Sequence, residues 1–208
     1  MNDNAPTGAL RQLPNLITLA RAVAGLVGAA FLIAASNAQS EAGAIAFATV
    51  SGVILLLAAI SDFLDGWLAR ALGASTPLGA LIDPIADKVL IGAYLIAFAL
   101  IAELHLYLTP AVVIIIARDV VVTALRLSRL GRREVPLPVT DEAKFKTALS
   151  MILVTLPFLA GLALYPFALS TETWLNLFLV WVGGVWLAAA LSAWTAWPYL
   201  RKALIQNF

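Results

Sequence analysis

The 208-residue chain contains no cysteine and a single histidine, His105. A disulfide framework, an iron–sulfur cluster and a thiolate zinc site are therefore excluded, and the redox compartment leaves no trace in the sequence. Charge is scarce as well. Asp, Glu, Lys and Arg make up 12% of the chain, against about 25% in an ordinary soluble domain. Apolar residues take the place of charge, at 62% of the chain, where a soluble domain carries about 45–50%. This composition excludes a soluble globular domain, a disordered chain and a nucleic-acid-binding protein. The 13 Lys and Arg and 12 Asp and Glu leave a net charge of +1. That balance names no partner until the charges are placed along the chain.

The chain has six long apolar stretches, at about 16–36, 43–61, 80–102, 108–127, 145–166 and 174–197. Each is long enough to cross a ~30 Å hydrocarbon core, for which a helix needs ~20 residues. A membrane β-barrel would instead alternate apolar and polar residues over segments of about ten. The expectation is an all-α integral membrane protein, a single domain over 1–208 with six transmembrane helices. All 13 Lys and Arg fall on one side of this layout. Arg11 and Arg21 open span one, Arg70 and Lys88 flank the second connection, and Arg118 to Lys146 surround the fourth. Arg201 and Lys202 follow the last span. The remaining connections carry Glu41, Glu103, Glu172 and His105 but no Lys or Arg. By the positive-inside rule both termini are cytoplasmic. Residues 22–38 resemble a signal-peptide core, but the polar lead and the interrupting Arg21 favour a retained helix. The polar stretch 128–146, with Gly131, Pro136 and Pro138, reads as a cytoplasmic loop, and Thr140 is placed to cap the helix after it. Tryptophans near the ends of the last run suit the membrane–water interfaces, and Gly183–Gly184 suits close helix packing.

The segment 61–88 breaks the apolar rule. Asp62 and Asp65 end the second stretch, and Asp83 and Asp87 stand in the first turns of the third. An ionised residue deep in a membrane costs roughly 2.5–3.5 kcal/mol, so four need a reason. On a helix, positions three or four apart share a face, which groups Asp62 with Asp65 and Asp83 with Asp87. Gly66, Ala69 and Gly73 keep the neighbouring surface bare, and Thr76–Pro77 reads as a helix start, so that the two acidic faces oppose each other. Four close carboxylates repel one another. They can share protons, pair with Arg70 and Lys88, or bind cations. Two local cations do not neutralise four carboxylates, and an oxygen-only donor set suits Mg²⁺, Mn²⁺ or Ca²⁺. A small ion-coupled membrane carrier is the non-enzymatic alternative. It would need ionisable groups near the midplane and related halves, whereas spans one, five and six hold no internal acid and no half-to-half symmetry is visible.

The pattern Asp62-x-x-Asp65-Gly66-x-x-Ala69-Arg70, eight residues, then Gly79-x-x-x-Asp83-x-x-x-Asp87 resembles the signature of the CDP-alcohol phosphatidyltransferase family. The opening Leu13 to Arg21 (LPNLITLAR) and the six-span layout agree with it. The resemblance implies two divalent cations, Mg²⁺ or Mn²⁺, held by Asp62, Asp65, Asp83 and Asp87, with Asp87 also the general base. It implies CDP-diacylglycerol as donor, bound through Asp62, Gly66, Ala69, Arg70 and Gly79. Gly66, Ala69 and Gly79 would admit the cytidine nucleotide, and Arg70 would grip phosphate oxygens. CMP would leave. By the same analogy the protein is a homodimer in a bacterial inner membrane, with its active site facing the cytoplasm.

The signature does not separate acceptor alcohols. Arg118, Arg126, Lys144 and Lys146 supply the cations that a phosphomonoester needs. Segments around Arg118 (ARDVVVTALR) and Lys146 (KFKT) resemble the family's bacterial phosphatidylglycerophosphate synthase branch, with Asp119 and Leu127 where that branch often has Glu. The expected acceptor is glycerol 3-phosphate. The R-D-V at Arg118 also resembles the cardiolipin synthase branch, whose acceptor is phosphatidylglycerol, and inositol phosphate is a further alternative. The bland reading of Arg126, Arg129, Arg132 and Arg133 is topology and lipid-headgroup contact. For Arg118 it is an ion pair with a buried acid.

Overall fold

A computed structural model describes the backbone of residues 8–72, 79–131 and 141–205, and side chains at 16–61, 84–125, 127–128, 145–164, 166–197 and 201. Among these residues all regular secondary structure is helical. The elements are α1 (Gly8–Ser36), α2 (Glu41–Leu72), α3 (Gly79–Ile101), α4 (Thr109–Gly131), α5 (Asp141–Leu164), a 3₁₀ turn at Tyr165–Phe167, and α6 (Thr171–Ile205). Each expected apolar stretch is a helix. Five helices carry segments long and apolar enough to cross a membrane: Leu16–Ser36, Glu41–Ser61, Pro84–Ile101, Phe145–Leu164 and Thr171–Trp197. Such helices fit an integral membrane protein. The proposed helix start at Thr76–Pro77 and the cap at Thr140 lie outside the described residues.

Helix ends follow the local chemistry. Ser40 Oγ accepts the Gly43 N–H at 3.1 Å ahead of α2, and Ser170 Oγ accepts the Thr173 N–H at 3.2 Å ahead of α6. Both are N-cap serines, which satisfy a donor that the first turn leaves open. At the end of α3, Leu104 N–H reaches Ala99 O at 2.9 Å and Glu103 N–H reaches Leu100 O at 3.0 Å. This is a Schellman motif, closed with Glu103 at φ 50° rather than the usual glycine. The second helix outlasts its apolar run. At 32 residues it continues through Asp62, Asp65, Gly66, Ala69 and Arg70.

The chain forms two compact units, Met1–Ala97 and Phe98–Phe208. In the first, α1 packs on α2. A polar relay binds these helices to α3: Ser51 Oγ donates to Gly28 O at 2.7 Å, and Tyr94 Oη donates to Ser51 O at 2.7 Å. Glycine allows the approach. A Cβ on Gly25 would stand 2.7 Å from the Leu90 Cα, and one on Gly28 would collide with Tyr94 Oη. In the second unit α4 and α5 each pack on α6. Trp181 Nε1 donates to Leu153 O at 2.7 Å in the interior, and Trp186 Nε1 donates to Tyr107 O at 2.7 Å. Trp194 and Trp197 stay exposed, as interfacial anchors would. Of the glycine pair, Gly184 faces Leu153 and Gly183 meets nothing within 4 Å.

Gly28→Ala is expected to lose the Tyr94–Ser51 bond and to strain the contact of α1 with α3. Overpacking of this kind costs about 1–3 kcal/mol. The measurement is the thermal unfolding midpoint in detergent, with Gly183→Ala, in open space, as the neutral comparison.

Candidate functional site

Three cations lie on the buried stripes of their helices rather than on outer faces. On α1 the buried positions run Thr18, Arg21, Gly25, Gly28 and Leu32. On α4 they run Ala111, Ile115, Arg118 and Val122, and on α5 they run Lys146, Ser150 and Val154. Steps of three and four residues are the helical period of a core face, so these charges are held inside by the same register that buries the apolar residues. A charge so placed needs a partner.

In the first unit the partner of Arg21 is Asp87. Arg21 Nη1 donates to Asp87 Oδ1 at 2.8 Å, with the arginine side chain wholly buried and the aspartate 21% exposed. Arg21 Nε makes a longer contact, 3.4 Å, to Ser61 Oγ, which donates to Ala58 O at 2.8 Å. One guanidinium therefore touches the residue just before Asp62 and the last aspartate of the motif, and ties both ends of the 62–87 segment to α1. By sequence Arg21 reads as a topological charge that closes the LPNLITLAR segment, with no site role. Its coincidence with the buried stripe Thr18–Gly25–Gly28 is the signal that marks it as more.

Asp62 and Asp65 fall three residues apart on α2, and Asp83 and Asp87 four apart on α3. The side chains of Asp62, Asp65, Ala69, Arg70 and Asp83 lie outside the described residues, as does the surrounding of Gly66 and Gly79. Among the described residues no three potential metal ligands gather. The donor set itself, carboxylates on helical i,i+3 and i,i+4 spacings without His or Cys, fits a hard divalent cation.

The second unit holds a separate charged cluster. Asp119 on α4 accepts from Arg118 Nη1 at 2.9 Å through Oδ1 and from Lys146 Nζ at 2.6 Å through Oδ2. Arg118 Nη2 donates to Thr195 Oγ1 on α6 at 3.1 Å. Side-chain exposures are 7% for Arg118, 14% for Asp119 and 2% for Lys146. The structure thus brings two of the four expected acceptor residues together and joins them to Asp119 and Thr195, which were not among the four. Arg118 has the buried acid partner of its alternative role. The side chains of Arg126 and Lys144 lie outside the described residues. Among the described residues, three buried polar atoms of this unit, Thr109 Oγ1, Arg118 Nε and Ser150 Oγ, have no hydrogen-bond partner.

Long apolar helices that bury paired charges fit an integral membrane protein that keeps charged side chains in apolar surroundings. The profile of the family described as CDP-alcohol phosphatidyltransferase matches residues 11–196. A relative from Pseudomonas fluorescens, named CDP-diacylglycerol--glycerol-3-phosphate 3-phosphatidyltransferase, is 34% identical over 197 residues, covering 91% of this chain and 92% of its own. Relatives of the same name from Bacillus subtilis (34% over 196 residues, 91% and 94%) and Cereibacter sphaeroides (34% over 182 residues, 73% and 80%) agree. The chain belongs to the CDP-alcohol phosphatidyltransferase family, and is a transferase of substituted phosphate groups.

Removing Arg21 leaves the Asp87 carboxylate without this buried counter-charge, a change that costs about 3–5 kcal/mol when one member of a buried pair is lost. Arg21→Ala is therefore expected to lower the unfolding temperature sharply, and Arg21→Lys to recover part of the loss. An unfolding temperature of Arg21→Ala equal to that of the unaltered protein would show that the pair carries no stability.

Proposed function

We propose that the protein transfers the phosphatidyl group of CDP-diacylglycerol to glycerol 3-phosphate, releasing CMP and giving phosphatidylglycerophosphate for phospholipid synthesis. The observation that carries this reading is the likeness, over nine-tenths of the chain, to relatives named for that reaction. The buried Arg118–Asp119–Lys146 cluster supports a phosphorylated acceptor, since two cations against one carboxylate leave a positive charge for an anion to meet.

Asp62, Asp65, Asp83 and Asp87 would hold two divalent cations, Mg²⁺ or Mn²⁺, which when bound neutralise the pyrophosphate and stabilise the attacking and leaving oxygens. Asp87 accepts the proton of the acceptor hydroxyl, whose oxygen forms the new bond to the phosphorus that carries the lipid. The bond from that phosphorus to CMP breaks, and CMP leaves with the electron pair. Arg70 grips phosphate oxygens, and Gly66, Ala69 and Gly79 leave room for the nucleotide. Arg21 holds Asp87 in place. Positioning does most of the work, as is general in phosphoryl transfer. Arg118 and Lys146, with Lys144 and Arg126, receive the acceptor's phosphate. In this reading the chain is one family domain with α4 as a sixth span and both termini in the cytoplasm. It works as a homodimer in a bacterial inner membrane, with the active site toward the cytoplasm.

Phosphatidylglycerol is the second acceptor to weigh, because Asp119 cancels one of the two cations and a diester carries a single charge. CMP release from CDP-diacylglycerol, measured with each acceptor in turn, separates the two. Turnover of glycerol 3-phosphate that stops with chelator and returns with Mg²⁺ or Mn²⁺ is the expected result. Turnover of phosphatidylglycerol alone, or full activity in excess chelator, would overturn the acceptor or the metal assignment respectively. Asp87→Asn should lower kcat more than it weakens metal binding. Arg118→Ala should raise the KM for glycerol 3-phosphate and not that for CDP-diacylglycerol. Loss of one charge-assisted contact, about 1.5–3 kcal/mol, corresponds to roughly 10- to 150-fold.

A further inference from the structure

We infer that Asp119 is a positioning residue of the acceptor pocket: its carboxylate fixes Arg118 and Lys146 in the orientation that meets the acceptor's phosphate. The inference rests on the acceptor reading above and names how that site is held. Arg118 and Lys146 end long flexible stems on two different helices, α4 and α5, that both pack on α6. Two like charges brought together in an apolar bundle repel, so left alone they would point apart. Asp119 removes that freedom from both at once, one oxygen to each: Oδ1 to Arg118 Nη1 at 2.9 Å and Oδ2 to Lys146 Nζ at 2.6 Å. Thr195 Oγ1 takes Arg118 Nη2 at 3.1 Å, and that hydroxyl itself donates to Leu191 O at 2.8 Å.

The guanidinium is thus anchored at both terminal nitrogens, and its third nitrogen, Nε, is buried without a partner among the described residues. Ser150, one helical turn beyond Lys146 on the same buried stripe of α5, has an unpartnered Oγ of its own. Buried polar groups are normally satisfied, and an unsatisfied one marks a place where a ligand or water completes the set. Clamped terminal nitrogens with donors still open are the arrangement of a preorganised anion site, in which the ordering cost is met before the ligand arrives. The carboxylate also leaves the cluster with one net positive charge instead of two, so the pocket stays compatible with an apolar interior when no anion is bound.

The test is steady-state kinetics of the full-length protein in detergent–lipid micelles, varying glycerol 3-phosphate and CDP-diacylglycerol separately. Asp119→Asn keeps the shape and removes the charge. It should raise the KM for glycerol 3-phosphate on the order of 10-fold or more while kcat and the KM for CDP-diacylglycerol stay within about threefold. Asp119→Glu, which restores the charge, should recover most of that loss. Glycerol 3-phosphate should raise the unfolding temperature of the unaltered protein, and of Asp119→Asn less. An unchanged KM in Asp119→Asn overturns the inference, and so does a lowered KM, which would make the carboxylate a competitor of the phosphate. Should Asp119→Asn fail to fold, Lys146→Met is compared with the Lys146→Met, Asp119→Asn double variant, whose cluster keeps its single positive charge. The second substitution should then raise KM by a smaller factor than that caused by Lys146→Met alone, and an equal or larger factor overturns the inference. Failure of the unaltered protein to use glycerol 3-phosphate would be a failure of the acceptor reading. Normal use of it with an unchanged KM in Asp119→Asn is a failure of this inference alone.

Discussion

A charge withdrawn from water has to be met inside the protein, and the two charged clusters of this chain are organised by that requirement. Arg21 is wholly buried and meets Asp87; Arg118 and Lys146 are nearly so and meet Asp119. In apolar surroundings an unmatched charge would unfold the region or shed its charge. Each pair therefore fixes more than two side chains. It fixes which faces of α1 and α3, or of α4 and α5, turn toward each other, because only one rotation of each helix brings the partners within reach. The close glycine contacts of α1 and the Ser51–Tyr94 relay serve the same end, since they bring the backbones near enough for short bonds between helices.

In the proposed reading the two clusters divide the labour that a phosphatidyl transfer requires. One holds Asp87, the last aspartate of the family signature, where a single arginine bridges Ser61 and Asp87 across the two ends of that signature. The other carries an excess of positive charge together with buried donors still open. Acidic groups suit cations that manage a pyrophosphate, and a cationic pocket suits an anionic acceptor.

Much of this is legible in the order of residues alone. The apolar runs mark all six helices, and the continuous hydrophobicity excludes a barrel. The spacing of Asp62, Asp65, Asp83 and Asp87 reads directly from a helical repeat, and both segments are helical. Helix ends are less legible. The second helix runs on well past its apolar stretch, because Asp62, Asp65 and Arg70 interrupt hydrophobicity without breaking the backbone bonds. The close of α3 relies on Glu103 in a left-handed conformation that glycine usually supplies, so no residue type announces it.

Composition and local periodicity determined the helical membrane class and the position of every charge along its own helix, since both depend on neighbours within a few residues. Partner choice was decided only by tertiary structure. Arg21 finds Asp87 across 66 residues, and Lys146 finds Asp119 across 27. The sequence places Arg21 and Arg118 within apolar helices, but that they sit on buried stripes, and which carboxylate faces them, depends on how the helices are rotated and paired. That is settled by close packing of glycines, hydroxyls and aromatic rings between elements, a balance to which residues from distant parts of the chain contribute at once.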